Sequence, residues 1–177
     1  MRISTVMRHM LGYAIGISLF FLLIPYGLYM LAVQCDPIIG IPLIGNAAVR
    51  TAVAVVILLP GIVFALWSNA ALLFIGKGGP TDGFGVAISP RTQHLVVRGP
   101  YRFTRNPMVF GALSCYFAFG VYLDSAAVSI ALVLMLPLIV VYLKQTEEKR
   151  LERDFGDEYR EYRKSVSMIL PLPPRKG

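Results

Sequence analysis

Four apolar runs, Leu11–Val33, Thr51–Ile75, Pro107–Leu123 and Ala126–Leu143, contain no Asp, Glu, Lys or Arg. A helix crossing the hydrocarbon of a bilayer needs about 20 such residues, with about 17 as the lower limit, and the last two runs only just reach it. In lipid no water satisfies exposed N–H and C=O groups, so the backbone of each run must bond to itself as a helix. These runs predict an all-α integral membrane protein with four transmembrane helices and a helical C-terminal tail at the membrane surface.

Composition agrees. The chain is 56% hydrophobic and 15% charged, which is not the balance of a soluble domain. Its net charge of +7 does not indicate nucleic acid, because the basic residues gather at the ends of the apolar runs, where a membrane surface is the natural partner. Two Lys or Arg residues precede the first run, Arg50 flanks the second, five lie between the second and third, and nine follow the fourth. The loop Gln34–Val49 and the turn at Asp124 have none, so both termini and the long middle loop are expected on the cytoplasmic side. The first run is too long for the core of a cleavable leader and is expected to stay as an anchor. Pro25, Pro60 and Pro137 predict kinks, not breaks. Gly12 and Gly16 form a G-x-x-x-G whose ordinary meaning is helix packing. Cys35 and Cys115 lack the neighbours of a zinc site or a disulfide framework, so no metal is expected.

The polar residues converge on a loop, 76–106, and a tail, 144–177. The loop opens G-K-G-G-P-T-D-G-F-G, but it completes no nucleotide-binding motif and follows a membrane helix instead of a strand, so it reads as a connector or lid. Next comes Q-H-L-V-V-R-G-P-Y-R-F-T-R-N-P-M, Gln93–Met108, which places three arginines directly before a helix beginning at Pro107. Anchoring by arginines and aromatics at headgroup level accounts for this spacing. So does an anion site, since guanidinium forks and a helix start both bind carboxylates.

Glu147 and Glu148 lie within a turn or so of the last span, where carboxylates are costly without partners. Leu151, Phe155, Tyr159 and Tyr162 follow at helical spacing, and both glutamates share that face. A solvated interfacial helix, with the glutamates paired to Lys144, Lys149, Arg150 or Arg153, fits equally well. Gly156 and Asp157 predict the end of one helix and the cap of another, with the aromatics folded onto the membrane.

Taken together, L-V-V-R-G-P-Y-R-F-T-R-N-P-M, a two-span hairpin, and E-E-K-R-L-E-R-D-F-G-D-E-Y-R-E-Y resemble the isoprenylcysteine carboxyl methyltransferase and phospholipid methyltransferase superfamily. The resemblance covers about Gln93–Pro171. It implies a small membrane methyltransferase using S-adenosyl-L-methionine, with S-adenosyl-L-homocysteine as product, on a lipophilic or membrane-borne acceptor such as an isoprenylcysteine carboxylate or a phospholipid amine. It also implies a cofactor pocket. Gln93, His94, Leu95, Val96, Gly99, Pro100 and Tyr101 would lie toward the adenosine, Arg105, Asn106, Pro107 and Met108 at the methionine end or reacting centre, and Glu147 with Glu148 at the ammonium or ribose. Arg105, Asn106 and Glu148 would be the catalytic group. Three positions depart from the family pattern: Gln93 replaces a histidine, with His94 one place on, Asn106 replaces another, and Val109 replaces a tyrosine. Asparagine keeps the hydrogen bonds of an imidazole and loses its titration.

Methyl transfer from a sulfonium mainly needs alignment, with Tyr101 or Phe103 able to favour the cation. A carboxylate acceptor needs no base, whereas an amine must lose a proton to the glutamate pair or His94. Arg98, Arg102 or Arg105 would suit an anionic acceptor. Two other classes compete: a membrane adaptor or lipid-binding subunit without enzymatic activity, and a sterol-reductase-like enzyme using a nicotinamide cofactor.

Overall fold

A computed structural model of the chain describes residues 14–76 and 93–174 continuously, together with Met7, Met10, Gly12 and the residue pairs 82–83 and 86–87. Helix α1 spans Ala14–Ile39. It widens into a π turn over Ser18–Leu23, just before Pro25, whose missing N–H disturbs the regular ladder. The Tyr116 hydroxyl donates to the Phe20 carbonyl there. The helix does not stop at Val33 as its apolar run suggests. It continues through Asp36 and Pro37 to Gly40, whose left-handed φ of 66° ends it.

Helix α2, Ala47–Phe74, begins where the Asn46 side chain accepts from the N–H groups of Ala48 and Val49. Helix α3, Pro107–Tyr122, has proline in its first turn. Helix α4, Ala126–Leu143, is capped by Ser125 accepting from Val128 N–H. A π turn over Lys144–Glu148 joins α4 to α5, Lys149–Ser165, and the two run on as one 40-residue helical element, Ala126–Ser165. Pro60 and Pro137 sit inside unbroken helices. As expected, helical geometry is interrupted at Gly156, whose φ of 55° and ψ of −127° make α5 two helices meeting at a kink, and the Asp157 carboxylate pairs with Arg160 at 2.9 Å. A two-residue antiparallel pairing, Asp82–Gly83 with Val86–Ala87, is the only sheet among the described residues.

The protein is thus an all-helical membrane protein. Three helical elements are long and apolar enough to cross a bilayer, and α3 is a shorter apolar one. The outward faces carry large exposed apolar side chains such as Val56, Leu66, Leu134 and Leu138, an arrangement that hydrocarbon, not water, accommodates.

Hydrophobicity cannot hold such helices together in lipid, where close packing must. The closest approach is between α2 and α3. A Cβ added to Gly111 would lie 2.8 Å from both the Ala65 nitrogen and the Gly61 oxygen, and one added to Gly61 would lie 2.9 Å from the Ser114 Cβ. This contact is where the backbones of α2 and α3 meet. Helix α4 packs on α1 and α3, with Val128, Leu132 and Ala32 at the centre. At the end of the bundle away from the 76–106 loop, two aspartates tie the connections together. Asp36 accepts from Ala127 N–H at 2.9 Å. Asp124, at φ 60°, accepts from Ile44 N–H at 2.7 Å and pairs with Arg50 at 3.0 Å.

Candidate active site

The opposite end is built on Gly99. Its φ of 63°, where glycine is favoured, lets the chain turn against α2, and a Cβ there would meet the Trp67 indole nitrogen at 3.1 Å. Trp67 packs its ring against Phe103, so the turn Gly99–Arg102 rests on α2 while Pro107 opens α3. Between them Thr104 is fully buried.

A second contact comes from the chain after α5. Thr104 pairs with Ser167 in a parallel bridge, Arg105 N–H donates to the Ser167 carbonyl at 2.8 Å, and Leu172 N–H donates to the Phe103 carbonyl at 2.9 Å. Two side chains share one acceptor: Thr104 Oγ1 at 3.1 Å and Asn106 Nδ2 at 2.9 Å both donate to the Met168 carbonyl. The strip holding Arg105 is therefore fixed on both sides.

The Arg105 side chain extends to the π turn beyond α4. Its Nη1 lies 2.8 Å from Glu148 Oε1, with the side chains only 10% and 8% exposed. A π turn admits one residue more than an α turn, which separates the two glutamates. Glu148 meets Arg105 across the fold, whereas Glu147 pairs with Arg150 one turn along its own helix at 2.8 Å. Thr146 steadies this turn by donating to the Tyr142 carbonyl at 2.6 Å.

Burial sets the electrostatics. It pushes the Glu147 carboxyl above the usual glutamate range, and it lifts the Tyr101 hydroxyl, with Glu147's charge adding to the effect. Tyr159, fully buried, is pushed up to about 12, first by burial and then by the charge of Glu148. Burial raises Tyr162 as well. These phenols remain protonated donors at neutral pH, and Tyr162 donates to the Tyr101 carbonyl at 2.6 Å. Leu151, Phe155, Tyr159, Tyr162 and Val166 pack with Leu95. The tail aromatics thus close onto the 93–101 segment and not onto the membrane face that their amphipathic spacing suggests, because their hydroxyls and rings find partners there.

Of the residues singled out in the sequence, Arg105, Glu148, Tyr101 and Glu147 lie in this group, and Leu95 joins the aromatic cluster beside it. Val96, Pro100 and Pro107 are buried and Met108 is half-buried. Gln93 and His94 are exposed at the edge, with Gln93 N–H bonded to the Gly76 carbonyl at 2.8 Å. Arg98 and Arg102 also face outward. Of the glycine-rich stretch Gly76–Gly85, residues 77–81, 84 and 85 lie outside the described residues. Thr104, Trp67 and Ser167 escaped the sequence reading. Only the single tryptophan hinted at a special contact, and a threonine between Phe103 and Arg105 gives no sign that it is buried.

Chemically, the Arg105–Glu148 contact is an ion pair without an aligned hydrogen bond. Arg105 Nε and Nη1 and Glu148 Oε1 are buried with no hydrogen-bond partner among the described residues. A buried cation beside a buried carboxylate offers complementary charges to a zwitterionic ligand. Among the described residues no group of three or more His, Cys, Asp or Glu comes together as a metal site. An apolar concavity of about 510 Å³, lined by Phe21, Tyr26, Tyr29 and Phe119 among others, lies on the α1–α3 face away from these charges.

The profile of the phospholipid methyltransferase family matches residues 49–158, from the start of α2 into α5. The chain belongs to the phospholipid methyltransferase family. No curated protein and no solved structure matches it. As a member of this methyltransferase family it carries Arg105, Glu147 and Glu148 inside the matched region, while α1 and the segment that clamps Thr104 and Asn106 lie outside it.

Proposed function

We propose that the chain transfers a methyl group from S-adenosyl-L-methionine to a lipophilic, membrane-borne acceptor, a phospholipid amine or an isoprenylcysteine-like carboxylate, at a site on the cytoplasmic side of the membrane. Both termini share that side, as the distribution of Lys and Arg favours. The observation that supports this reading is the buried ion pair between Arg105, directly before α3, and Glu148, inside the region that matches the methyltransferase family.

When bound, the cofactor supplies an electrophilic methyl on a sulfonium. Arg105 holds its carboxylate, and Glu148 takes its ammonium or ribose hydroxyls. Leu95, Val96, Gly99, Pro100 and Tyr101 line the adenosine side, while Asn106, Pro107 and Met108 bound the reacting centre. Asn106 already donates to Met168, so it braces the site more than it acts on the methyl. Alignment provides most of the acceleration. For an amine acceptor a base is required, and Glu147, which burial makes a better proton acceptor than an ordinary carboxylate, fills that role.

The test is calorimetric binding of S-adenosyl-L-methionine and S-adenosyl-L-homocysteine to detergent-purified protein, comparing wild type with Glu148→Gln. Binding by wild type and its loss in the variant are expected. A folded wild type that binds neither compound would overturn this reading in favour of an adaptor without catalysis.

A further inference from the structure

The chain beyond α5 runs Met168-Ile169-Leu170-Pro171-Leu172-Pro173-Pro174, seven residues without a charge after a helix dense in them. Prolines at 171, 173 and 174 hold φ near −65° and push each preceding residue toward extended conformations. The Ser167 hydroxyl contacts the Leu170 carbonyl, turning the chain just before this stretch. Two of its main-chain groups are bonded inward: the Met168 carbonyl accepts from Thr104 and Asn106, and the Leu172 N–H donates to the Phe103 carbonyl. Its leucine side chains face outward. Leu170 is 64% exposed and Leu172 49%.

Single exposed leucines are ordinary on a soluble surface. Location sets these apart. The three residues that hold the stretch, Phe103, Thr104 and Asn106, directly precede Pro107, where a membrane helix starts. The stretch is therefore pinned at the level where the helix, and with it the hydrocarbon, begins. Arg102 is exposed beside it, and the sequence continues with Arg175 and Lys176, cations that favour an anionic lipid surface. The main-chain groups already bonded inward lower the cost of entering such a layer.

We propose that Met168–Pro174 is an interfacial strap that lies in the headgroup layer, with Leu170 and Leu172 inserted, so that the bilayer itself holds one side of the strip carrying Arg105. The rest of the tail is unsuited to this role. Arg160, Arg163 and Lys164 are spent on ion pairs with Glu152, Asp157 and Glu161 along a charged outer face.

The experiment places tryptophan at one leucine at a time, Leu170→Trp and Leu172→Trp, in vesicles of phosphatidylcholine and phosphatidylglycerol with or without bromine on the acyl chains. Subtracting wild type removes the signal of Trp67, the one native tryptophan. A blue-shifted added emission that brominated lipid quenches and aqueous iodide does not is expected at both positions. Emission insensitive to bromine and quenched by iodide would overturn the proposal. So would protection from iodide without quenching by bromine, which is the pattern of a protein neighbour such as a second copy of the chain. Because no methyl transfer is read, either result stands independently of the function proposed above.

Discussion

Asn106 and Met168, separated by the whole α3–α4 hairpin and α5, are joined by a hydrogen bond of 2.9 Å from the asparagine amide to the methionine carbonyl. The residue standing where the family pattern has histidine therefore serves, in this chain, to lock the tail onto the strip that carries Arg105.

Thr104 gives the clearest test of that lock. Thr104→Val keeps the shape and removes a donor from a fully buried position. Loss of a buried hydrogen bond costs about 1 to 3 kcal/mol. The expected result is a lower thermal midpoint in detergent together with weakened binding of the methyl donor, and Thr104→Ser should restore both. Unchanged donor affinity would separate the clamp from the site.

Arg105→Ala and Glu148→Gln each remove one half of a buried pair. Charge-assisted contacts of about 1.5 to 3 kcal/mol correspond to about 10- to 100-fold in donor affinity. Both variants should still insert and fold, at reduced stability, because the surviving partner is left buried. Equal turnover by both variants and wild type would remove these residues from the site.

Glycine at 111 is required by backbone, not by flexible neighbours. Gly111→Ala should cost about 1 to 3 kcal/mol by forcing α2 and α3 apart. Gly27, with nothing within 4 Å of its added Cβ, is the control: Gly27→Ala should leave the thermal midpoint unchanged or raise it slightly. Equal effects at both positions would contradict the close approach.

Burial raises the Glu147 carboxyl, so the folded state holds a proton that the unfolded chain has already released. The stabilisation from that proton is complete below the ordinary glutamate value of 4.5. It is lost as pH rises from there through the raised value, after which the effect is constant. Thermal unfolding followed against pH should show wild type losing stability across this interval more steeply than Glu147→Gln. Parallel profiles would mean that Glu147 is solvated.

Helix number and the two polar segments were legible because uncharged runs of this length have few alternatives in a bilayer. Helix ends were less so. Asp36 and Pro37 look like loop residues, yet Asp36 sits within α1 because Ala127 N–H awaits it, a partner 91 positions away that local sequence does not show. The cost of carboxylates near hydrocarbon flagged Glu147 and Glu148 but left them equivalent, and only the π turn assigns Glu148 to Arg105 and Glu147 to Arg150. The α2–α3 contact was missed because Gly61, Ala65 and Gly111 read as ordinary small residues until the two helices are placed side by side.

The helical run from Ala126 through Glu148 has one more implication. At about 1.5 Å of rise per residue, the 18 residues of α4 measure about 27 Å, close to the thickness of a hydrocarbon layer of about 30 Å. The span works as a ruler: its length sets the height at which Glu148 emerges, and so keeps the buried carboxylate near the membrane surface, where the proposed acceptor would present its headgroup.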